Sequence, residues 1–226
     1  MKNNSYKIVC FGDSTTDATF IPKDAKHQVN YKHLKVFSQI LGDELASLLD
    51  KKLEVINSGI SGDTTEDAKH RFQSDVLDHN PDIVFIQFGA NDQSIRQDLG
   101  KSTANVSLDS FRENLLYFIT ELKKTGCKII LMTPGIMLWT DAFKLNYFRA
   151  PYRLQEPMGL NGNLKNYIPI ICKLALLENI ELINIFNKQI AHSQAHNMFD
   201  LLPDGIHPNS KGHEFIATII LNHLKI

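Results

Sequence analysis

The 226-residue chain predicts a three-layer α/β/α fold built on a flavodoxin-like parallel sheet of five strands in the order 2-1-3-4-5. Three observations carry this. Short apolar runs alternate with longer segments of helical periodicity along the whole chain, the pattern of repeated βα units. The run Ile83–Phe88 is apolar except for Gln87, as a strand covered on both faces is. Turn-forming residues close each early run, at Gly12-Asp13-Ser14, Gly59-Ile60-Ser61-Gly62, Gly89-Ala90-Asn91-Asp92 and Thr133-Pro134-Gly135.

The elements follow in order. Ile8–Phe11 reads as the first strand, ending at Ser14, and residues 17–33 read as a polar surface loop. Leu34 to Leu49 has helical spacing, with Leu34, Phe37, Leu41, Leu45, Leu48 and Leu49 on one face. Leu53–Asn57 is the second strand. A glycine-rich turn then leads into a helix capped by Thr64 or Thr65, running to about Leu77 and stopped by His79-Asn80-Pro81. After the Ile83–Phe88 strand comes an amphipathic helix, Leu108–Lys124, closed by Gly126. Lys128–Met132 is the fourth strand. Residues 136–160 break the pattern with an aromatic-rich insertion. A helix over about Leu164–Glu178 contains Pro169 and so has either a kink or a start there. Glu181–Phe186 is the fifth strand, 187–203 a loop with some helix, and Asn209 or Ser210 caps the last helix. No repeat or linker divides the chain, so one domain spanning residues 1–226 is expected.

Composition narrows the function. Hydrophobic residues make up 43% and charged residues 22%, ordinary values for a globular protein. A net charge of −1 gives no general attraction to nucleic acid or an anionic membrane. The apolar run after Lys2 and Lys7 is too short for a secretory signal, and no stretch reaches membrane-spanning length. The expected compartment is cytoplasmic. Cys10, Cys127 and Cys172 have no CxxC or zinc-type spacing and read as free thiols.

Ser14 alone is ambiguous, since a serine after a strand also serves as a helix N-cap. Its meaning comes from the other turns. In a doubly wound sheet, turns at the carboxyl ends of strands converge on one rim. Ser14, Gly62 and Asn91 lie on three such turns, and Asp204 and His207 on a tight turn before the last helix. A serine hydroxyl needs a base to take its proton, and His207 can be that base. Asp204, three residues earlier, can hold the imidazole tautomer. The Ser14 N–H, the Gly62 N–H and the Asn91 side-chain amide can receive an oxyanion.

These four blocks resemble those of the SGNH (GDSL-type) hydrolases, a family of esterases and lipases. Gly12-Asp13-Ser14 matches the first block, with Thr15 where leucine is often found. Asn57-Ser58-Gly59-Ile60-Ser61-Gly62-Asp63-Thr64 matches the second, Gly89-Ala90-Asn91-Asp92 the third, and Asp204-Gly205-Ile206-His207-Pro208 the last. The resemblance covers nearly the whole chain. It implies serine ester hydrolysis without metal or cofactor, with Ser14 as nucleophile, Ser14, Gly62 and Asn91 as oxyanion donors, His207 as base and Asp204 as its orienting partner. A small-molecule ester is the expected partner.

Competing readings make different demands. Asp204, His207 and His213 could ligate a metal, although their spacing matches no standard site. Asp13, Asp63 and Asp92 read as structural carboxylates accepting turn N–H groups. In the insertion, Trp139, Phe143 and Tyr147 are spaced four apart and would share a helical face. That face, with Arg149 and Arg153, either packs onto the sheet edge or forms a substrate wall. Within the esterase reading, removal of short acyl groups from a carbohydrate or other polar substrate is favoured. The alternatives are a lysophospholipase or thioesterase acting on longer chains, a non-catalytic binding module on the same fold, and a metal-dependent phosphodiesterase.

Overall fold

The computed structural model describes residues 5–17, 19, 34–47 and 52–225. Five parallel strands form one sheet, β1 (Ser5–Gly12), β2 (Lys52–Gly59), β3 (Ile83–Gln87), β4 (Lys128–Met132) and β5 (Glu181–Ile183), in the order β2-β1-β3-β4-β5. The helices are α1 (Phe37–Ala46), α2 (Thr65–Asp75), α3 (Leu108–Thr125), α4 (Asp141–Asn146), α5 (Leu164–Leu177), α6 (Ile185–Ser193) and α7 (Ser210–Leu224). This is the three-layer architecture expected.

Strand alternation divides the core in two. Val9, Phe11, Val84, Ile86, Ile129 and Leu131 face α2, α3 and α5. Ile8, Cys10, Ile83, Phe85, Ile130 and Met132 face α1 and α7. Successive residues of a strand point to opposite faces, so a strand buried on both sides must be apolar throughout. The five residues of β3 are all buried.

Local signals set the helix ends. Thr64 caps α2, its side chain accepting from the Asp67 N–H in a reciprocal capping box. Ser107 caps α3, and Gly126 ends it at φ 77°. Asn209 caps α7 by accepting from the Gly212 N–H.

Four expectations change. The first helix is shorter than its periodicity, at Phe37–Ala46, and Leu48 and Leu49 lie outside the described residues, as does nearly all of the expected 17–33 loop. The second helix ends at Asp75, and Leu77–His79 is a separate 3-10 turn. Pro169 neither starts nor ends a helix: α5 runs through it. Pro169 and Lys165 are both exposed, so the proline lies on the solvent side of the helix. The fifth strand stops at Ile183, because Asn184 caps α6 with an Asn187 N–H···Oδ1 bond of 2.9 Å. A run of apolar residues hid that cap.

The sheet edge is tight where β1 and β2 end. A Cβ on Gly59 would overlap the backbone of Thr16 and Asp17. Overpacking of this kind costs roughly 1–3 kcal/mol. Gly59→Ala is therefore expected to lower the melting temperature in thermal denaturation, whereas substitution at the exposed Leu176 is expected to leave it unchanged.

Candidate active site

Because the strands are parallel, their carboxyl ends share one rim. Register places Gly12 beside Gly59 of β2 and Gln87 of β3, so three turns leave the sheet at one level. After Gly12, Asp13 turns the chain. Its Oδ1 accepts the Thr15 N–H at 3.0 Å, and its carbonyl accepts the N–H groups of Thr16 and Asp17. This single helical turn presents Ser14 at the rim, half-buried.

The opposing turn lies just before α7. Gly205 adopts φ 93°, a conformation that favours glycine. The Asp204 Oδ1 accepts the N–H groups of Ile206 (2.9 Å) and His207 (2.8 Å). Its Oδ2 accepts from His207 Nδ1 at 2.7 Å. With Nδ1 carrying the proton, Nε2 keeps its lone pair. Nε2 lies 2.9 Å from Ser14 Oγ, within the range for proton abstraction. The Leu138 N–H to Gly205 carbonyl bond, 2.7 Å, fixes this turn against the segment leaving β4.

The oxyanion candidates lie on the facing turns. Gly62 has φ 90°. The Ile60 N–H donates to the Gly12 carbonyl at 3.1 Å, and the Ser61 N–H to Asp17 Oδ2 at 3.1 Å, so the Gly62 turn is tied to the Ser14 turn. Asn91 Nδ2 donates to the Asp63 carbonyl at 3.0 Å. An amide nitrogen has two hydrogens, and among the described residues the second has no partner.

The sequence reading missed Arg71, the centre of this framework. Its Nε pairs with Asp63 at 2.6 Å, and one terminal nitrogen donates to the Ser58 carbonyl (2.8 Å) and to Asp75 (3.0 Å). The other donates to the Gly12 carbonyl at 3.0 Å. The guanidinium lies 4.8 Å from the centre of the Phe11 ring. Planar, forked donors are what let one side chain hold several loops. The available signal was the spacing Asp63, Arg71, Asp75. Asp63 is accordingly an ion-pair partner rather than an acceptor of turn N–H groups.

Two further carboxyls are buried beside the site. Burial pushes Asp13 up to about 6, against the Thr15 N–H bond and the attraction of His207, with Asp63 adding to the rise. Burial pushes Asp92 up to about 7, opposed by hydrogen bonds from Thr65 and aided by the charge of Asp13. His213 is a core histidine: its Nδ1 accepts the Phe37 N–H at 3.3 Å, and burial pushes its pKa down to about 3. Among the described residues no three His, Cys, Asp or Glu side chains gather as a metal requires.

The insertion departs from its expected form. Trp139 and Tyr147 both lie outside the six-residue α4, so no helical face joins Trp139, Phe143 and Tyr147. Trp139 is buried, with Nε1 donating to the Arg153 carbonyl at 2.6 Å. Tyr147 is buried, with its hydroxyl 2.8 Å from Ser94 Oγ. Phe143 packs partly against the core. Arg149 stacks on Phe148 at 4.8 Å, and its N–H donates to Gln97 Oε1. The helix starts only at Asp141, so Trp139 lies ahead of it, its side chain buried. These four residues make no hydrogen bond or ring contact with Ser14 or Asn91 among the described residues.

A hydroxyl, an imidazole and a carboxylate in hydrogen-bonded series, at the carboxyl edge of a parallel 2-1-3-4-5 sheet, define the serine hydrolase class of site. The chain belongs to the GDSL-like lipase/acylhydrolase family, whose model matches residues 10–215. It is similar to the acetylxylan esterase of Geobacillus stearothermophilus, 26% identical over 96% of this chain and 93% of that one. The solved structure of a point mutant of an acetyl-xylooligosaccharide esterase from the same genus has the same fold, with a TM-score of 0.76 over 100% of this chain and 97% of that one, at 24% identity. The uncharacterized lipoprotein YqeF of Bacillus subtilis is 44% identical over 131 residues, which span 56% of this chain and 47% of that protein. The chain thus matches about half the length of that relative.

The buried carboxyls make stability depend on pH. The Asp92 pKa is raised from its ordinary 3.8 to about 7 in the folded chain, so the folded state holds the extra proton between those values. The stability it contributes is present at low pH and lost as pH rises through about 7. Asp92→Asn removes this loss. The melting temperature of Asp92→Asn, relative to wild type, is expected to rise between pH 5 and pH 8. A constant difference would show that Asp92 is ionised across that range.

Proposed function

We propose that the chain is a serine ester hydrolase that removes short acyl groups, chiefly acetyl, from a carbohydrate or similarly polar alcohol. The observation that carries this is the continuous series Ser14 Oγ, His207 Nε2, His207 Nδ1, Asp204 Oδ2, with links of 2.9 and 2.7 Å. Ser14 Oγ attacks the ester carbonyl as its proton passes to His207 Nε2. The carbonyl oxygen becomes an oxyanion, received by the N–H groups of Ser14 and Gly62 and by the free hydrogen of the Asn91 amide. When the ester C–O bond breaks, His207 gives its proton to the departing alcohol. A water deprotonated by His207 then releases the acid and restores Ser14. Asp204 stabilises the imidazolium in both halves.

One observation favours a short acyl group: the acetylxylan esterase of Geobacillus stearothermophilus and the isoamyl acetate-hydrolyzing esterase 1 homologue of Mus musculus are both named for acetate esters.

A p-nitrophenyl ester series from acetate to long chain tests the reading on wild type and Ser14→Ala, with and without chelator. Expected are a peak at acetate, loss of turnover in Ser14→Ala with the melting temperature retained, and no response to chelator. A maximum at long chains would transfer the enzyme to lipids or thioesters. Chelator-sensitive, Ser14-independent turnover would overturn the serine mechanism.

A further inference from the structure

We infer that Asp92 is a positioning residue that locks together the two turns bearing the Gly62 and Asn91 donors. This rests on the ester-hydrolase reading of those donors. Asp92 is wholly buried, so it meets no substrate itself. Its Oδ1 accepts two hydrogen bonds from Thr65, from the backbone N–H at 2.8 Å and from Oγ1 at 2.6 Å. Thr65 lies three residues beyond Gly62, and Asp92 directly follows Asn91. One carboxyl oxygen therefore spans the gap between the turns that leave β2 and β3.

Other contacts brace the same joint. Asn91 Nδ2 donates to the Asp63 carbonyl at 3.0 Å, closing a second link between the turns. Asn114 Nδ2, on α3, donates to Thr65 Oγ1 at 3.1 Å and to Glu66 at 2.9 Å. Thr65 Oγ1 thus receives one hydrogen bond and gives another, which fixes its orientation.

A purely local duty does not account for Asp92. The start of α2 already has its own reciprocal cap from Thr64 and Asp67. The second oxygen of Asp92, Oδ2, is buried without a hydrogen-bond partner among the described residues. A buried polar atom left unmatched is costly. The joint holds a group that weakens the fold, at the point where two oxyanion donors must keep a fixed separation. Donors aimed at an oxyanion work over a narrow distance range and cost no reorganisation only if they are already in place. Loosening them affects the transition state more than the bound ester, so the loss falls on kcat rather than KM.

A double-mutant cycle on acetate-ester turnover tests this. Asp92→Ala removes the acceptor, and Thr65→Val removes the hydroxyl at nearly constant shape. Asp92→Asn keeps an oxygen that accepts both bonds, and Asn91→Ala removes the side-chain donor. Removing one oxyanion donor costs about 10²–10³ in kcat. Asn91→Ala is expected in that range and Asp92→Ala near its lower end, at about 10². KM should stay within about twofold of wild type in both. Thr65→Val should lose about tenfold in kcat, and Asp92→Asn should recover most of what Asp92→Ala loses. In an Asn91→Ala background, Asp92→Ala and Thr65→Val should each cost clearly less than in the wild type, because the part of their effect that runs through the Asn91 amide is already lost. Thermal denaturation identifies the folded variants, and Thr65→Val carries the test if Asp92→Ala does not fold. Full additivity with Asn91→Ala, or a loss confined to KM, would overturn the inference and leave the oxyanion reading intact. An unchanged kcat in Asn91→Ala would overturn both.

Discussion

The pairing of β1 with β2 on one side and β3 on the other fixes everything at the rim. Gly12 stands in register with Gly59 and Gln87, so the chain leaves three neighbouring strands at one height. A slip of one residue would reverse the two faces of a strand, and both faces of β1 are packed, Val9 and Phe11 on one side and Ile8 and Cys10 on the other. The core therefore sets the register, and the register sets the site. Arg71 reads the result directly by donating to the Gly12 and Ser58 carbonyls, the ends of two adjacent strands. Its link to Asp63 carries the same reference out to the glycine turn.

The charge arrangement has the same economy. Arg71 is matched by Asp63 and Asp75, and Asp204 accepts a hydrogen bond from the His207 ring. Two other carboxyls near the rim, Asp13 and Asp92, are both pushed up by burial. Thr65 and Thr15 hydrogen-bond to these carboxyls through backbone and hydroxyl groups, which add no charge.

Much of this was legible in the sequence because the relevant signals are local. Ser14, Gly62, Asn91 and the Asp204–His207 pair each sit in a turn that announces itself by glycine, proline or asparagine, and a parallel sheet sends such turns to one edge. Strand β4 was bounded correctly at Lys128–Met132 because a charged residue and a Thr-Pro pair frame it. What escaped was nonlocal. Arg71 lies on a helix of ordinary polar composition, and only the fold shows that its fork reaches two strand ends. The insertion misled for a related reason. A spacing of four fits a helix, but the helix began after Trp139, and burial of the indole and of Tyr147 governed their positions. Asn184 shows the same limit, a cap concealed inside an apolar run that looked like one strand.

The relay joins residues 193 positions apart in the chain, Ser14 and His207, whereas His207 and Asp204 are near neighbours within one turn. The base and its carboxylate can organise as soon as that turn forms, but the serine has no proton acceptor until residue 207 arrives. At synthesis rates of about 5–20 residues per second, Ser14 leaves the ribosome roughly 10–40 s before its partner. Hydrolytic competence is therefore timed by the chain's own topology. The relay is complete only once the turn before α7 has reached the end of β1, where residues 14 and 207 meet.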